Sequence, residues 1–147
     1  MNIVYSEDLT GMVFKDKFYN YLEEMKIQGY PWYAIYRQMK QHHTKAFFLY
    51  DDENLAGFSL FTTVNMTSWI VRQKVCYIAE FYIDPNYRHK GYGHWLLMQT
   101  EQYAREHGMQ EMVLTTRDAG EFYRRFGYWQ DFSMKAENNS PVWVKRI

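Results

Sequence analysis

A chain of 147 residues, 47% hydrophobic and 20% aromatic, has enough apolar surface to close one core, which excludes a disordered protein. Its 17 basic and 17 acidic side chains cancel, and without a basic excess neither duplex DNA nor bulk RNA is an expected partner. Cys76 is the one cysteine, so an intrachain disulfide and a cysteine-based zinc site are both excluded.

In chain order, Ile3 to Tyr5 reads as a short first strand. Asp8 or Thr10 is placed to cap a helix running to about Gln28, with Phe14, Phe18, Tyr21, Leu22 and Met25 at helical spacing. Gly29-Tyr30-Pro31 stops that helix and starts a second, which carries Trp32, Ile35, Tyr36 and Met39 on one face. Ala46 to Tyr50 and Leu55 to Val64 read as strands joined by the turn Asp51-Asp52-Glu53-Asn54. Gln73 to Ile83 is a fourth strand, rich in β-branched and aromatic residues and closed by Asp84-Pro85-Asn86. From Gly91 a helix carries Leu96, Leu97, Thr100, Tyr103 and Ala104 as its apolar stripe and stops at Gly108. Met109 to Thr115 is a fifth strand. Asp118 is placed to cap a short helix through Phe126, broken by Gly127. Tyr128 to Met134 and Val142 to Ile147 are the last strands, with a polar loop from Glu137 to Ser140 between them. Helices alternating with strands in mid-chain, and hairpins at both ends, predict a mixed α/β sheet. Met1 to Asp8 lacks the basic segment and apolar run of a signal peptide. No apolar run approaches the ~20 residues that span a bilayer. The expected location is cytoplasmic, with no membrane partner.

The segment with chemical content is Ala79 to Leu97. A strand runs into a turn with two glycines, Arg88-His89-Lys90-Gly91-Tyr92-Gly93, and the turn opens into a helix. A helix N-terminus presents unpaired N–H groups and the positive end of its dipole. Gly91 and Gly93 let the backbone approach a phosphate with no Cβ in the way, so the amides of His89 to His94 can converge on a pyrophosphate. Arg88 and Lys90 add positive charge. Two glycines alone also mark ordinary turns. A dinucleotide fold needs a third glycine and a later acidic residue, and a Walker loop needs Gly-Lys-Ser/Thr; both are absent.

Arg-x-x-Gly-x-Gly after Asp84-Pro85, before an amphipathic helix, resembles the signature of the GNAT superfamily of N-acetyltransferases. Thr116 to Tyr128, with Tyr123 shortly before Phe126-Gly127-Tyr128, is similar to the second motif of that family. The order of elements matches it from Ile3 to Ile147. The resemblance implies one domain over residues 1–147, with an α/β (α+β) fold. Its single mixed sheet of about seven strands is splayed at the centre and flanked by helices. It implies acetyl-CoA as co-substrate, no metal, and a primary amine on a small molecule, peptide or protein as acceptor, attacked in a ternary complex. A homodimer is compatible with it. Backbone groups of Phe81, Tyr82 and Ile83 are expected on the pantetheine arm. Arg88, His89, Lys90, Gly91, Tyr92, Gly93 and His94 are expected at the pyrophosphate. Tyr123 maps to the proton donor for the leaving thiolate.

Glu80, the acidic residue of the fourth strand before Asp84, is the candidate base, with a substrate-amine anchor or a surface carboxylate as alternatives. The end of the fifth strand, Leu114-Thr115-Thr116, carries no carboxylate, although a family base often sits there. His42-His43 reads as a solvated helix end, because adjacent helical positions cannot face one metal. His89 and His94 read as phosphate contacts or exposed side chains rather than metal ligands, and Cys76 as a small buried hydrophobe. Tyr30 to Tyr33 is core or acceptor-pocket wall. A non-catalytic acyl-CoA-binding sensor or interaction module is the alternative, and an aminoacyl-tRNA-acetylating toxin is a third reading.

Overall fold

The computed structural model describes residues 1–67 and 72–147. The strands are β1 (Asn2–Ser6), β2 (Lys45–Asp51), β3 (Asn54–Thr67), β4 (Arg72–Ile83), β5 (Glu111–Thr115), β6 (Trp129–Gln130) and β7 (Val142–Arg146). The helices are α1 (Met12–Glu24), α2 (Trp32–Gln41), α3 (Tyr92–Glu106) and α4 (Gly120–Arg125), with a 3-10 turn over Pro85–Tyr87. The seven strands make one mixed sheet in the order β1-β2-β3-β4-β5-β7-β6. Every pairing is antiparallel except β4 with β5, which α3 connects as a crossover.

The sheet carries a core on each face. One, under α3 and α4, is built on Phe61, Leu96, Leu97, Met112 and Tyr123. The other, under α1 and α2, is built on Phe14, Phe18, Phe58 and Leu60. Fully burying one such aliphatic or aromatic side chain stabilises by ~1.5–3 kcal/mol. The aromatic stripe of α1 has a positional consequence. Phe14 and Phe18, one turn apart, meet Phe58 with ring centroids at 5.5 and 5.8 Å. Tyr21, three residues further, packs edge-on against Phe58 at 5.7 Å and lies 5.4 Å from Tyr82. These contacts set where the Tyr21 hydroxyl falls on β4.

Four expected boundaries or caps differ. α1 begins behind Gly11 with no side-chain cap. Asp8 Oδ1 instead accepts from the Thr10 amide and hydroxyl, at 2.9 and 2.5 Å, and closes a turn before the helix. α1 stops at Glu24, short of Gln28, because Lys26 takes a left-handed φ of 58°. The Lys26 amide then donates to Glu23 O and the Ile27 amide to Leu22 O, at 3.0 and 2.9 Å. The Ala119 amide at the start of α4 donates to Thr116 Oγ1 at 3.1 Å, so Thr116 and not Asp118 serves that end. The strand expected from Tyr128 to Met134 shrinks to Trp129–Gln130. Asp131 Oδ1 accepts from the Ser133 amide and hydroxyl, at 2.9 and 2.5 Å, and turns the chain off the sheet edge.

Glu101 is buried on α3 and accepts from Tyr128 Oη and Lys145 Nζ, each at 2.9 Å, which ties α3 to the last strands. Among the described residues no helix is long and apolar enough to cross a membrane.

Candidate functional site

β4 pairs with β5 only at Val75, Cys76 and Tyr77, opposite Glu111, Met112 and Val113. Beyond Tyr77 it has no β5 partner, although it stays paired with β3 as far as Ile83. The sheet is therefore open between the end of β4 and β5. A bulge helps to re-aim the strand: Leu60 faces Glu80 and Phe61 faces Ile78, which leaves Ala79 as the extra residue. After the bulge, Phe81 and Ile83 pack on the α3 and α4 side, while Glu80 and Tyr82 stand on the α1 side.

A cavity of about 750 Å³ fills the opening. Tyr21 and Glu24 of α1, Phe81 and Ile83 of β4, Arg88, His89, Gly91 and Gly93 of the turn, and Phe122, Tyr123 and Phe126 of α4 or its end contribute to its wall. The Asp84 amide donates to Ala56 O on β3 at 2.8 Å. Backbone polar groups alternate along a paired strand, so those of Tyr82 also face β3, and those of Phe81 and Ile83 face the opening. Tyr82 thus departs from the expected backbone trio. Ile83 O already accepts from Arg88 Nε at 2.7 Å.

At the mouth of the cavity the chain turns through two left-handed residues, His89 with φ 62° and Gly91 with φ 87°. Gly91 is the N-cap of α3, and the first helical bond runs from the Trp95 amide to Gly91 O at 3.1 Å. Among the described residues, the amides of His89 to His94 donate to no backbone carbonyl. Six consecutive donors without backbone acceptors lie at the positive end of a helix of 15 residues, the end that suits an anion. A Cβ on Gly91 would meet nothing within 4 Å, so its demand is the positive φ. Gly93 is different from the expectation: its Cβ direction points at Phe122 Cζ, 3.2 Å away, and at Ile83, so its small size serves helix packing rather than phosphate approach.

The basic side chains of the turn also sit otherwise than expected. The Arg88 guanidinium is paired with both oxygens of Glu24, at 2.7 and 2.8 Å, and this pair holds the Glu24 carboxyl below its usual range. Lys90 is exposed, with Nζ 3.4 Å from Asn86 O, and the side chains of Lys90 and Tyr92 do not line the cavity. His94 does line it and stacks flat on Phe126, with ring centroids 3.9 Å apart.

Glu80 accepts a short hydrogen bond from Tyr21 Oη. Burial pushes the Glu80 carboxyl above its usual range, against the lowering effect of the Tyr21 bond. Tyr123 is buried, edge-on to Phe81 with centroids 6.2 Å apart and 5.5 Å from Tyr128. Burial pushes its phenol well up, so it is held protonated. Among the described residues its hydroxyl has no hydrogen-bond partner, and it lies near enough to Tyr21 to add to the upward shift of that phenol. Tyr77 completes the group, its phenol raised first by burial and also by the nearby Glu80 charge. The fold thus brings Glu80 and Tyr123 to one opening, through Tyr21. Neither the Tyr21 contact with Glu80 nor the Glu24 pairing with Arg88 is marked in the sequence, where the one signal is the helical face that Tyr21 shares with Phe14 and Phe18.

On the other side of Glu80, between α1, α2 and β4, lies a second cavity of about 620 Å³. Tyr30 lines it, while Trp32 packs in the α1 and α2 core. Cys76 is fully buried, its thiol pushed up to about 12 by burial. His42 and His43 end α2, and among the described residues no group of three potential metal ligands converges.

The seven-stranded mixed sheet is thus split between its fourth and fifth strands, with a row of unpaired amides at the mouth of the split. The sequence matches the acetyltransferase (GNAT) family over residues 7–128, and the chain belongs to that family. Solved structures agree in fold. N-acetylglutamate synthase from Neisseria gonorrhoeae, complexed with coenzyme A and N-acetyl-glutamate, superposes with a TM-score of 0.70 at 19% identity. That match covers 99% of this chain and 35% of the synthase, so the chain spans about a third of that enzyme. PaiA N-acetyltransferase from Thermoplasma acidophilum, in complex with coenzyme A, gives 0.65 at 14% identity over 100% of both chains. An acetyltransferase from Streptococcus agalactiae gives 0.74 at 14% identity, over 99% of this chain and 98% of the other. No curated protein matches the sequence.

Proposed function

We propose that this chain is an N-acetyltransferase that moves an acetyl group from acetyl-CoA to a primary amine by direct attack in a ternary complex. The observation that carries the proposal is that one cavity joins the amide cradle of the α3 turn to Tyr21 and Tyr123 at the split in the sheet. The cradle suits a pyrophosphate, and the free backbone edge of Phe81 and Ile83 suits an extended arm added as a strand would be. Acetyl-CoA supplies the activated acetyl group. The chain's own residues manage protons and water. Glu80, with its raised affinity for a proton, takes one from the incoming ammonium, directly or through water, which leaves the amine able to attack. A C–N bond forms and a C–S bond breaks. The sulfur gains a proton from Tyr123, kept neutral by burial, and the second proton shed by the nitrogen passes through water to restore that phenol, so the proton taken by Glu80 is the one released. The products are the amide, a free thiol and one released proton. Tyr21 orients the Glu80 carboxyl.

The test is thiol release with acetyl-CoA over a panel of amines, set beside calorimetric affinity for acetyl-CoA. Turnover on any amine, abolished by heat denaturation, supports the proposal. Tight binding without turnover on a broad panel would make the chain a binding module.

A further inference from the structure

We infer that the acceptor is a small monoamine with an apolar body, an arylalkylamine or long-chain alkylamine, seated in the cavity between α1, α2 and β4. This rests on the acetyltransferase reading above. Glu80 lies at the join of the two cavities: it lines the one of about 620 Å³, and its partner Tyr21 lines the donor cavity. An ammonium drawn to Glu80 therefore arrives at the split in the sheet, and the rest of the acceptor stays in the second cavity.

The chemistry of that wall selects the body. Apolar side chains, Leu22, Ile27, Ile35, Met39, Leu60 and Val64 among them, make more than half of it. Among the described residues Glu80 is its single carboxylate, and no lysine or arginine lines it. A polyamine or aminoglycoside would bring further ammonium groups into apolar surroundings with no counter-charge. An amino acid would bring a carboxylate with no lysine or arginine to meet it. A peptide would bring an amide at every residue to a wall whose uncharged polar side chains are Tyr30, Gln38, His42, Thr44, Thr62 and Tyr77, of which the Thr62 hydroxyl is already spent on His42 O at 2.6 Å. A hydrocarbon body costs none of these and gains from every methylene removed from water.

The experiment is a homologous series of n-alkylamines from propylamine to octylamine, with phenethylamine, spermidine, lysine, glutamate, kanamycin and a hydrophobic tetrapeptide beside it. The expected result is that kcat/KM climbs about fourfold per methylene until the cavity is filled. Octylamine and phenethylamine should then exceed every charged or peptidic acceptor by about tenfold or more. A flat series, or any of the other acceptors leading, overturns the inference and leaves acetyl transfer standing. No thiol release from any amine, with acetyl-CoA bound, overturns both. A second measurement uses Gln38→Glu, at an exposed rim position of the cavity whose backbone carbonyl, not its side chain, holds the end of α2. The new carboxylate should shift the ratio of kcat/KM for 1,8-diaminooctane over octylamine upward by about fivefold or more. An unchanged ratio would place the acceptor elsewhere.

Discussion

Burial raises the pKa of both Tyr123 and Glu80, and the two groups act in opposite protonation states. The Tyr123 phenol stays protonated and can only give. Tyr123→Phe keeps the ring between Phe81 and Tyr128 and deletes the hydroxyl. Acetyl-CoA affinity and thermal stability should hold, while kcat falls roughly 10²-fold. Equal kcat in the two proteins would make the hydroxyl structural, and a loss of affinity alone would make it a coenzyme contact. Glu80 must be ionised to accept a proton. Its raised pKa means that the active form disappears as pH falls through a value above the usual carboxylate range. The kcat/KM profile should therefore show an acidic limb that Glu80→Gln removes, along with most of the rate, when one amine is used for both proteins. The same shift acts on stability with the opposite benefit. A carboxyl whose folded pKa is raised contributes stability below its unfolded pKa, and that contribution is lost as pH rises through the folded value. Glu80→Gln, which still offers Tyr21 an acceptor, should be at least as stable as wild type at neutral pH. Chemical denaturation at acidic and neutral pH reads this directly.

At the scale of elements, the turn before α3 makes two different demands on its glycines. Gly91→Ala puts a side chain into open space but forces φ 87° on it, a strain of ~1–2 kcal/mol. The turn should relax, the amide row lose its convergence, and coenzyme affinity fall about tenfold by calorimetry. Gly93→Val instead crowds Phe122 and Ile83, and should lower stability by ~1–3 kcal/mol through overpacking. If Gly91→Ala binds as well as wild type, the cradle is misplaced. Helix ends show why some elements were legible and one was not. α3 and α4 each close through a glycine at positive φ, Gly108 and Gly127, and both stops can be read from the sequence. α1 closes with the same pair of backbone bonds around Lys26, and a lysine carries no stop signal, so the eye runs on to Gly29. The bulge at Ala79 leaves no mark either, because it arises from register against β3.

Across the whole molecule, what was legible of the site is what is contiguous. Arg88 to His94 is a single run, so its geometry follows from local rules, as does the placing of Tyr123 on a short helix after β5. The Glu80 and Tyr21 pair spans 59 residues and depends on α1 lying across β4, which no local pattern encodes. The neutralisation of Arg88 by Glu24 is hidden for the same reason, with 64 residues between them. These long-range contacts join α1, the α3 turn and α4 around one cavity, so a coenzyme that fills it binds only the folded chain. Folding and binding are then linked: coenzyme A at a hundred times its Kd should add ~2.7 kcal/mol to stability. For a chain of this size that corresponds to a rise in Tm of about 8 °C, measurable by calorimetry or dye-monitored melting. Pantetheine at the same concentration lacks the phosphates that the amide row would hold, and should give a much smaller rise. Gly91→Ala should shrink the coenzyme A shift toward that of pantetheine, while Tyr123→Phe should leave it intact. Equal shifts for coenzyme A and pantetheine would mean that the six amides at the start of α3 bind no phosphate, and the donor site would have to be sought away from that turn.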